Sequence, residues 1–208
     1  MKLVDLQVKE FMSVLGSNEP APGGGSASAL AAAMGVSLVK MVGELTIGKK
    51  RYVENEALIQ KILEESARLQ EELLAAIDKD TEAFNEVSAV FSMPKETEED
   101  KTVRREAMQK ALQGAAISPY EMMVISVAAL RVTKQAVGKS NVNAASDLGV
   151  AALNLKSGLQ GAWLNVLINL SSIQDQSFVE KYRGAGEALL VESTALADSI
   201  YDEVLTLI

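Results

Sequence analysis

The sequence predicts an all-α bundle of about six to eight helices. Apolar residues recur at helical spacing nearly from end to end, with no alternation that would mark a strand. Hydrophobic residues make up 48% of the chain but aromatic ones only 4%. The core must therefore be Ala, Leu, Val, Ile and Met, a mixture that suits closely packed helices better than sheets. Four prolines among 208 residues leave few obligatory breaks. That length fits one domain, residues 1–208, with a single core and no shift of composition to divide it.

Asp5 is placed to cap a first helix with Val8, Phe11, Met12 and Leu15 as its apolar stripe and Gly16 as its stop. A second helix is expected from about Ser26 to Ile47, ended by Gly48. Its Ala and Gly content makes it apolar nearly all round, which predicts the buried central helix. Glu54 to Met93 reads as one long helix with Leu58, Ile62, Leu69, Leu73, Ile77, Phe84, Val87 and Phe91 facing inward and Pro94 ending it. Such a length implies either a kink near Asp80 or an extended antiparallel bundle. Glu96 to Asp100 places negative charge at the start of the next helix, which continues to about Ile117. Ser118-Pro119 is expected to break it and restart a helix through Val137. After a turn at Gly138 to Asn143 come a long helix from Ala144 to Leu170 and a last one capped near Asp175 or Ser177.

Composition also excludes chemistries. With no Cys and no His, thiolate nucleophiles, Ser-His-Asp arrangements and most zinc sites are ruled out. Proton transfer would have to run through Asp, Glu, Lys, Tyr or water. The net charge of −8 argues against a nucleic-acid surface. The most apolar stretch, Ala27 to Val39, is too short for a membrane span, so a cytoplasmic protein is expected.

Three segments are candidates for function. Pro20 to Leu30 combines two prolines with Gly23, Gly24 and Gly25 and then Ser26 and Ser28, either of which could cap the Ala-rich helix. It is either a mobile linker or a loop whose bare backbone and helix N-terminus line a ligand. In the second segment, Asp78-Lys79-Asp80-Thr81-Glu82-Ala83-Phe84, Asp80 and Phe84 share a helical face. Turned inward, Asp80 would have its pKa raised by desolvation; turned outward, the segment is a solvated patch. The third lies on the long helix, where Asp147, Asn154, Gly158, Gly161, Asn165 and Asn169 are 7, 4, 3, 4 and 4 residues apart. At ~3.6 residues per turn they fall on one stripe. A stripe of Asp, Asn and Gly without Lys or Glu suggests a site-lining or tightly packed face, though a solvated side is the plainer reading. Asn141, Asn143 and Ser146 stand where helix caps are expected. Lys95, after Pro94, is a lone cation that either meets a ligand carboxylate or faces solvent.

Together these segments resemble the formiminotetrahydrofolate cyclodeaminase and methenyltetrahydrofolate cyclohydrolase family. The resemblance is carried by Pro20 to Leu30 and by Asp78-x-Asp80-x-x-Ala83-Phe84 followed by Met93-Pro94-Lys95. It continues through Asn141-x-Asn143-x-x-Ser146-Asp147-x-Gly149-x-Ala151-Ala152 and Gly161-Ala162-x-x-Asn165-Val166-x-Ile168-Asn169-Leu170. It implies an all-helical homodimer and folate-linked one-carbon chemistry, with no metal and no cofactor beyond the tetrahydrofolate substrate. On that footing Asp80 or Asp147 is expected to be the acid/base, with the other carboxylate orienting the pterin or stabilising the cation. Asn141, Asn143, Asn165 and Asn169 would supply amide contacts, and Gly23, Gly24 and Gly25 would pack on the folate body. Pro22, Ser26 and Asp78 complete the expected substrate contacts, with Lys95 at the glutamate tail. A non-catalytic bundle that binds folate or a protein partner is the alternative from another class.

Overall fold

The structure is a computed structural model that describes residues 2–208. Among those residues there are six α-helices and no strand: α1 (Val8–Leu15), α2 (Gly24–Glu44), α3 (Glu56–Val90), α4 (Glu98–Ala136), α5 (Ala145–Leu170) and α6 (Gln176–Leu205). Three short 3-10 turns, Leu3–Asp5, Lys50–Asn55 and Val142–Ala144, precede α1, α3 and α5.

α2 is the central helix that its composition predicts. Ala29, Ala32, Val36, Val39 and Val42 on it are fully enclosed, and its most extensive packing is against α5 and α3. Both neighbours run antiparallel to it. Ser26 and Gly43 of α2 meet Ile77 and Leu63 of α3, while Ser28 and Gly35 meet Gly158 and Ala151 of α5. The glycines are what let α2 and α5 approach. A Cβ on Gly158 would lie 2.7 Å from the Ser28 carbonyl oxygen, and one on Gly35 would lie 2.8 Å from that of Ala151. Part of the stripe on α5 is therefore a tight helix contact rather than a solvated side. α4 and α6 close the bundle around α5.

The helix starts have local causes, and the first differs from the one expected. Asp5 lies in the first 3-10 turn and caps nothing; α1 instead starts after Gln7, whose N–H donates to Glu10 Oε2 at 3.0 Å. Thr97 and Asp100 form a reciprocal capping box that opens α4, at 3.0 and 3.1 Å. Asp175 rather than Ser177 caps α6, accepting from the Phe178 N–H at 3.1 Å.

α3 runs without interruption through Asp80. It also extends past the start of α2, since Asp80 already meets Gly25. Beyond that level α3 has no α2 to cover it, so Phe84 and Phe91 are exposed at 40% and 65% rather than facing a core.

Nor does Pro119 break α4, which passes straight through it. A proline in a helix interior removes one N–H and orphans the carbonyl four residues before it. Here that carbonyl belongs to Ala115, and the Asn169 side-chain amide on α5 donates to it at 2.9 Å. The bond lost within α4 is thus replaced from a neighbouring helix.

α2 and α4 are both long and apolar enough to cross a membrane by length and composition, with 56% of each apolar window buried within the bundle. α2 is longer than the apolar stretch picked out in the sequence because it begins at Gly24.

Candidate active site

Where α3 outruns α2, a cleft of about 330 Å³ opens at the α2 N-terminus. Gly23, Gly24 and Gly25 form one side, with Pro20 and Ala21 at the rim. Asp80, Ala83, Phe84 and Val87 come from α3, Asn165, Ile168 and Asn169 from α5, and Ala115 from α4.

Asp80 is held by the first turn of α2. Gly23 offers that helix no capping side chain, and the carboxylate of Asp80 takes the place directly against Gly25. A Cβ on Gly25 would fall on that carboxylate. Ser26, fully buried, donates its hydroxyl to the Ile77 carbonyl at 2.9 Å and lies 3.2 Å from Asp80 Oδ2 and from Thr81 Oγ1. Ser26 is thus a strut between α2 and α3 rather than a cap of its own helix. Burial pushes the Asp80 carboxyl above the ordinary aspartate value, and the Ser26 hydroxyl and backbone N–H hold it partway back. The cleft therefore has a carboxylate that accepts a proton more readily than a solvated one.

Asn165 and Asn169 face Asp80 from α5. The Asn165 amide nitrogen donates to the Gly161 carbonyl at 2.9 Å. That of Asn169 donates to the carbonyls of Asn165 and Ala115, both at 2.9 Å. Asn169 has spent both of its N–H donors and Asn165 one of two, so the two amide oxygens and one Asn165 N–H remain for a ligand beside the cleft. Acceptors and one carboxylate thus converge between apolar walls, and no Lys or Arg lines the site. Such a lining suits a flat, partly apolar ligand bearing N–H donors or positive charge.

The remaining candidates lie elsewhere in this chain. Asp78 accepts from the Leu3 N–H at 2.6 Å and ties down the chain's beginning. Pro22 is buried beside the loop but does not line the cleft. Lys95 is exposed on the α3–α4 connection, with its backbone N–H bonded to Glu96. Asn141 fastens the end of α2, its backbone N–H donating to Thr46 Oγ1 at 2.9 Å and its amide to the Leu45 carbonyl at 3.1 Å. Asn143 is exposed beside it, bonded through its backbone N–H to Asn141 Oδ1. Asp147 is half-buried in the first turn of α5. It is about 27 Å along the helix from Asn165 at 1.5 Å per residue.

Seven lining residues were not among the expected contacts: Pro20, Ala21, Ala83, Phe84 and Ile168 lay within the recognised segments without a role, while Val87, taken as core, and Ala115 were missed. For Ala115 the signal existed, since Pro119 four residues later marks an unpaired carbonyl. A second hollow of about 360 Å³ between α3 and α4 is slightly larger. Its walls are mostly aliphatic in area, with Glu72, Lys79, Ser118 and Glu121 among the lining residues, and it takes in none of the residues singled out in the sequence.

Pro119 acts on the cleft through Asn169. P119A would return an N–H able to bond the Ala115 carbonyl, and so compete for the acceptor that orients Asn169. The expected result is equal or greater thermal stability with a several-fold rise in KM, because a helix-interior proline costs on the order of 3 kcal/mol. An unchanged KM would show that this bond does not set the Asn169 amide.

Comparison with known proteins agrees with these motifs. A profile of the family described as formiminotransferase-cyclodeaminase matches residues 7–188. The methenyltetrahydrofolate cyclohydrolase of Methylorubrum extorquens is 40% identical over 197 residues, which cover 95% of this chain and 95% of that protein. The formimidoyltransferase-cyclodeaminase of Rattus norvegicus is 31% identical over 195 residues, covering 94% of this chain but only 36% of the relative. The chain thus spans about a third of the length of that protein. The crystal structure of formiminotetrahydrofolate cyclodeaminase from Thermotoga maritima superposes with a TM-score of 0.81 at 29% identity, over 99% of this chain and 97% of the other.

Proposed function

Given that the chain belongs to the formiminotransferase-cyclodeaminase family, we propose that it is a folate one-carbon enzyme whose cleft hydrolyses 5,10-methenyltetrahydrofolate to 10-formyltetrahydrofolate. The full-length likeness to a cyclohydrolase at 40% identity favours this reaction. The likeness to a cyclodeaminase over 99% of the chain supports a second one, closure of 5-formiminotetrahydrofolate to the same methenyl compound with loss of ammonia.

One carboxylate is enough for both. In hydrolysis, water adds to the bridge carbon and gives its proton to Asp80, leaving a tetrahedral carbon that bears N5, N10 and a hydroxyl. The C–N5 bond then breaks, N5 takes up a proton and the hydroxyl loses its own, so one proton leaves overall. In cyclodeamination, N10 attacks the formimino carbon, and Asp80 carries the N10 proton to the departing amine. In each case a charged N–C–N unit stands beside Asp80 and the amide oxygens of Asn165 and Asn169, which favour positive charge. No cofactor beyond the tetrahydrofolate substrate enters either sequence.

The observation that carries the proposal is the placement of Asp80, partly buried against Gly25 and facing the α5 amides across an apolar-walled cleft. Cytoplasmic placement and homodimeric assembly belong to the same proposal. The test is direct. Hydrolysis removes the absorbance of the conjugated methenyl bridge, and cyclodeamination releases ammonia from the formimino substrate. Binding without either turnover would favour a non-catalytic folate-binding bundle.

A further inference from the structure

Ser26 Oγ is a junction of three contacts. It donates to the Ile77 carbonyl at 2.9 Å and stands 3.2 Å from Asp80 Oδ2 and 3.2 Å from Thr81 Oγ1. A serine hydroxyl has one proton and two lone pairs. The Ile77 carbonyl can only accept, and so can an ionised Asp80, so the Ser26 proton goes to one of these two. The proton in the Ser26–Thr81 contact therefore comes from Thr81. That proton is available for a local reason. A threonine hydroxyl inside a helix ordinarily bonds the carbonyl four residues back, which here is that of Ile77, and Ser26 has taken the place. Thr81 Oγ1 has no other hydrogen-bond partner among the described residues.

The same groups satisfy Asp80 in both of its states. When the carboxyl is protonated, its O–H can donate to Ser26 Oγ, whose own proton stays on the Ile77 carbonyl. When it is ionised, the Ser26 proton turns from Ile77 to Asp80 Oδ2. The turn does not orphan the Ile77 carbonyl, which still accepts the Thr81 backbone N–H in the uninterrupted α3. Thr81 donates to Ser26 in both arrangements, and a hydroxyl that accepts a hydrogen bond is the better donor for it. One O–H rotates and no heavy atom has to move as the base gains or loses its proton. Ser26 is wholly buried, and Thr81, half-buried, does not line the cleft. A ligand in the cleft therefore leaves both in place.

We propose that Thr81 is a positioning residue for the proton transfer: by donating to Ser26 it leaves the Ser26 proton to alternate between the Ile77 carbonyl and Asp80 Oδ2. The inference rests on the folate reading above, in which Asp80 takes up and returns a proton in every turnover. No charge from a neighbouring element replaces this control. α2 has no ionisable side chain before Lys40, and α4 and α5 present Ala115, Asn165 and Asn169 to the cleft. On α3, Asp78 is bonded to the Leu3 N–H, while Lys79 and Glu82 are exposed, as are Asp5 and Glu19 ahead of α2. Burial and the Ser26 hydrogen bonds are what move the Asp80 carboxyl from its ordinary value.

The test is a set of pH profiles for hydrolysis of 5,10-methenyltetrahydrofolate by Thr81→Val, Thr81→Ser, Ser26→Ala and the Ser26→Ala/Thr81→Val double variant. Valine keeps the shape of threonine and removes the donor. Ser26 then stabilises the ionised carboxylate less, so the Asp80 pKa rises and the acid limb of kcat moves to higher pH. On that limb kcat should fall roughly three- to tenfold, the size of one net hydrogen bond. KM should hold, because Thr81 does not touch the ligand. Thr81→Ser should restore the wild-type limb. Ser26→Ala should shift the limb the same way and further, and adding Thr81→Val to it should change nothing more. A Thr81→Val profile that superposes on wild type, a change confined to KM, a Thr81→Ser protein as impaired as Thr81→Val, or an equal further shift in the Ser26→Ala background would overturn the proposal. Should Ser26→Ala fail to fold, the two variants at position 81 decide it. Titration of the Asp80 carboxyl carbon by NMR in the ligand-free protein reads the same shift without turnover. An Asp80 titration unmoved by Thr81→Val would overturn the role of Thr81 alone, whereas wild-type protein inactive on both folates would overturn the folate reading.

Discussion

Asp80→Asn is expected to lower kcat at least about a hundredfold on both folate substrates while the helical fold is retained, as for loss of a general acid/base. Asparagine keeps the shape and one acceptor oxygen, so the α2 N-terminus stays capped. What disappears is the group that takes a proton. The pH profile separates this from a structural effect. The wild-type rate should fall as pH drops through the Asp80 pKa, because the base must be unprotonated to accept a proton from water. Burial raises that pKa, so the acid limb should lie above the ordinary aspartate value of 3.8. The variant should show no such limb.

Stability should move the other way. A carboxyl whose pKa is raised on folding contributes most below its unfolded pKa, and the contribution is lost as pH rises through the folded value. At neutral pH, replacing Asp80 removes a charge that the fold disfavours, so an unchanged or higher Tm is expected. A strongly lowered Tm, with loss of helicity matching the loss of activity, would assign Asp80 a purely structural role.

Gly25→Ala should rank second in effect. Its new methyl would fall on the Asp80 carboxylate. The carboxylate would have to leave Ser26, or the α2 N-terminus would have to retreat from α3. Such overpacking costs roughly 1–3 kcal/mol, and kcat/KM is expected to fall more than tenfold because the base is displaced. Gly24→Ala is the matched control. A Cβ there would meet the Asn165 amide alone, its nitrogen at 3.5 Å and its oxygen at 4.0 Å, ordinary contacts, so Tm should hold while KM changes modestly. Equal kinetics for the two variants would show that the position of the carboxylate is not what matters.

The all-helical fold was legible because an apolar residue every three or four positions leaves little other choice. What escaped was non-local. Phe84 and Phe91 continue the apolar period of α3, yet periodicity cannot tell that the covering helix ends at Gly24. Pro119 obeys the helix-breaking rule locally, but the amide that rescues its orphaned carbonyl lies 50 residues further along the chain. Ser26 looked like a cap, whereas the cap is Asp80, from another helix.

The candidate site was legible in its parts. Gly23, Gly24, Gly25, Asp80, Asn165 and Asn169 meet in one cleft. The stripe on α5 is divided, with Gly158 and Gly161 used for packing against α2, Asn165 and Asn169 for the cleft, and Asn154 away from it beside Met34 and Met41. Asn141, Asn143 and Asp147 belong to the far end of the same helix. Spacing along one helix shows that residues share a face; it does not show that they share a site.

A structure of the D80N protein with 5,10-methenyltetrahydrofolate bound tests the central claim most directly. The bridge carbon should sit between residue 80 and the α5 amides, close enough for the side chain at 80 to reach it directly or through one water. Folate seated instead in the hollow between α3 and α4, or with its one-carbon unit beyond reach of residue 80, would contradict the assignment of Asp80.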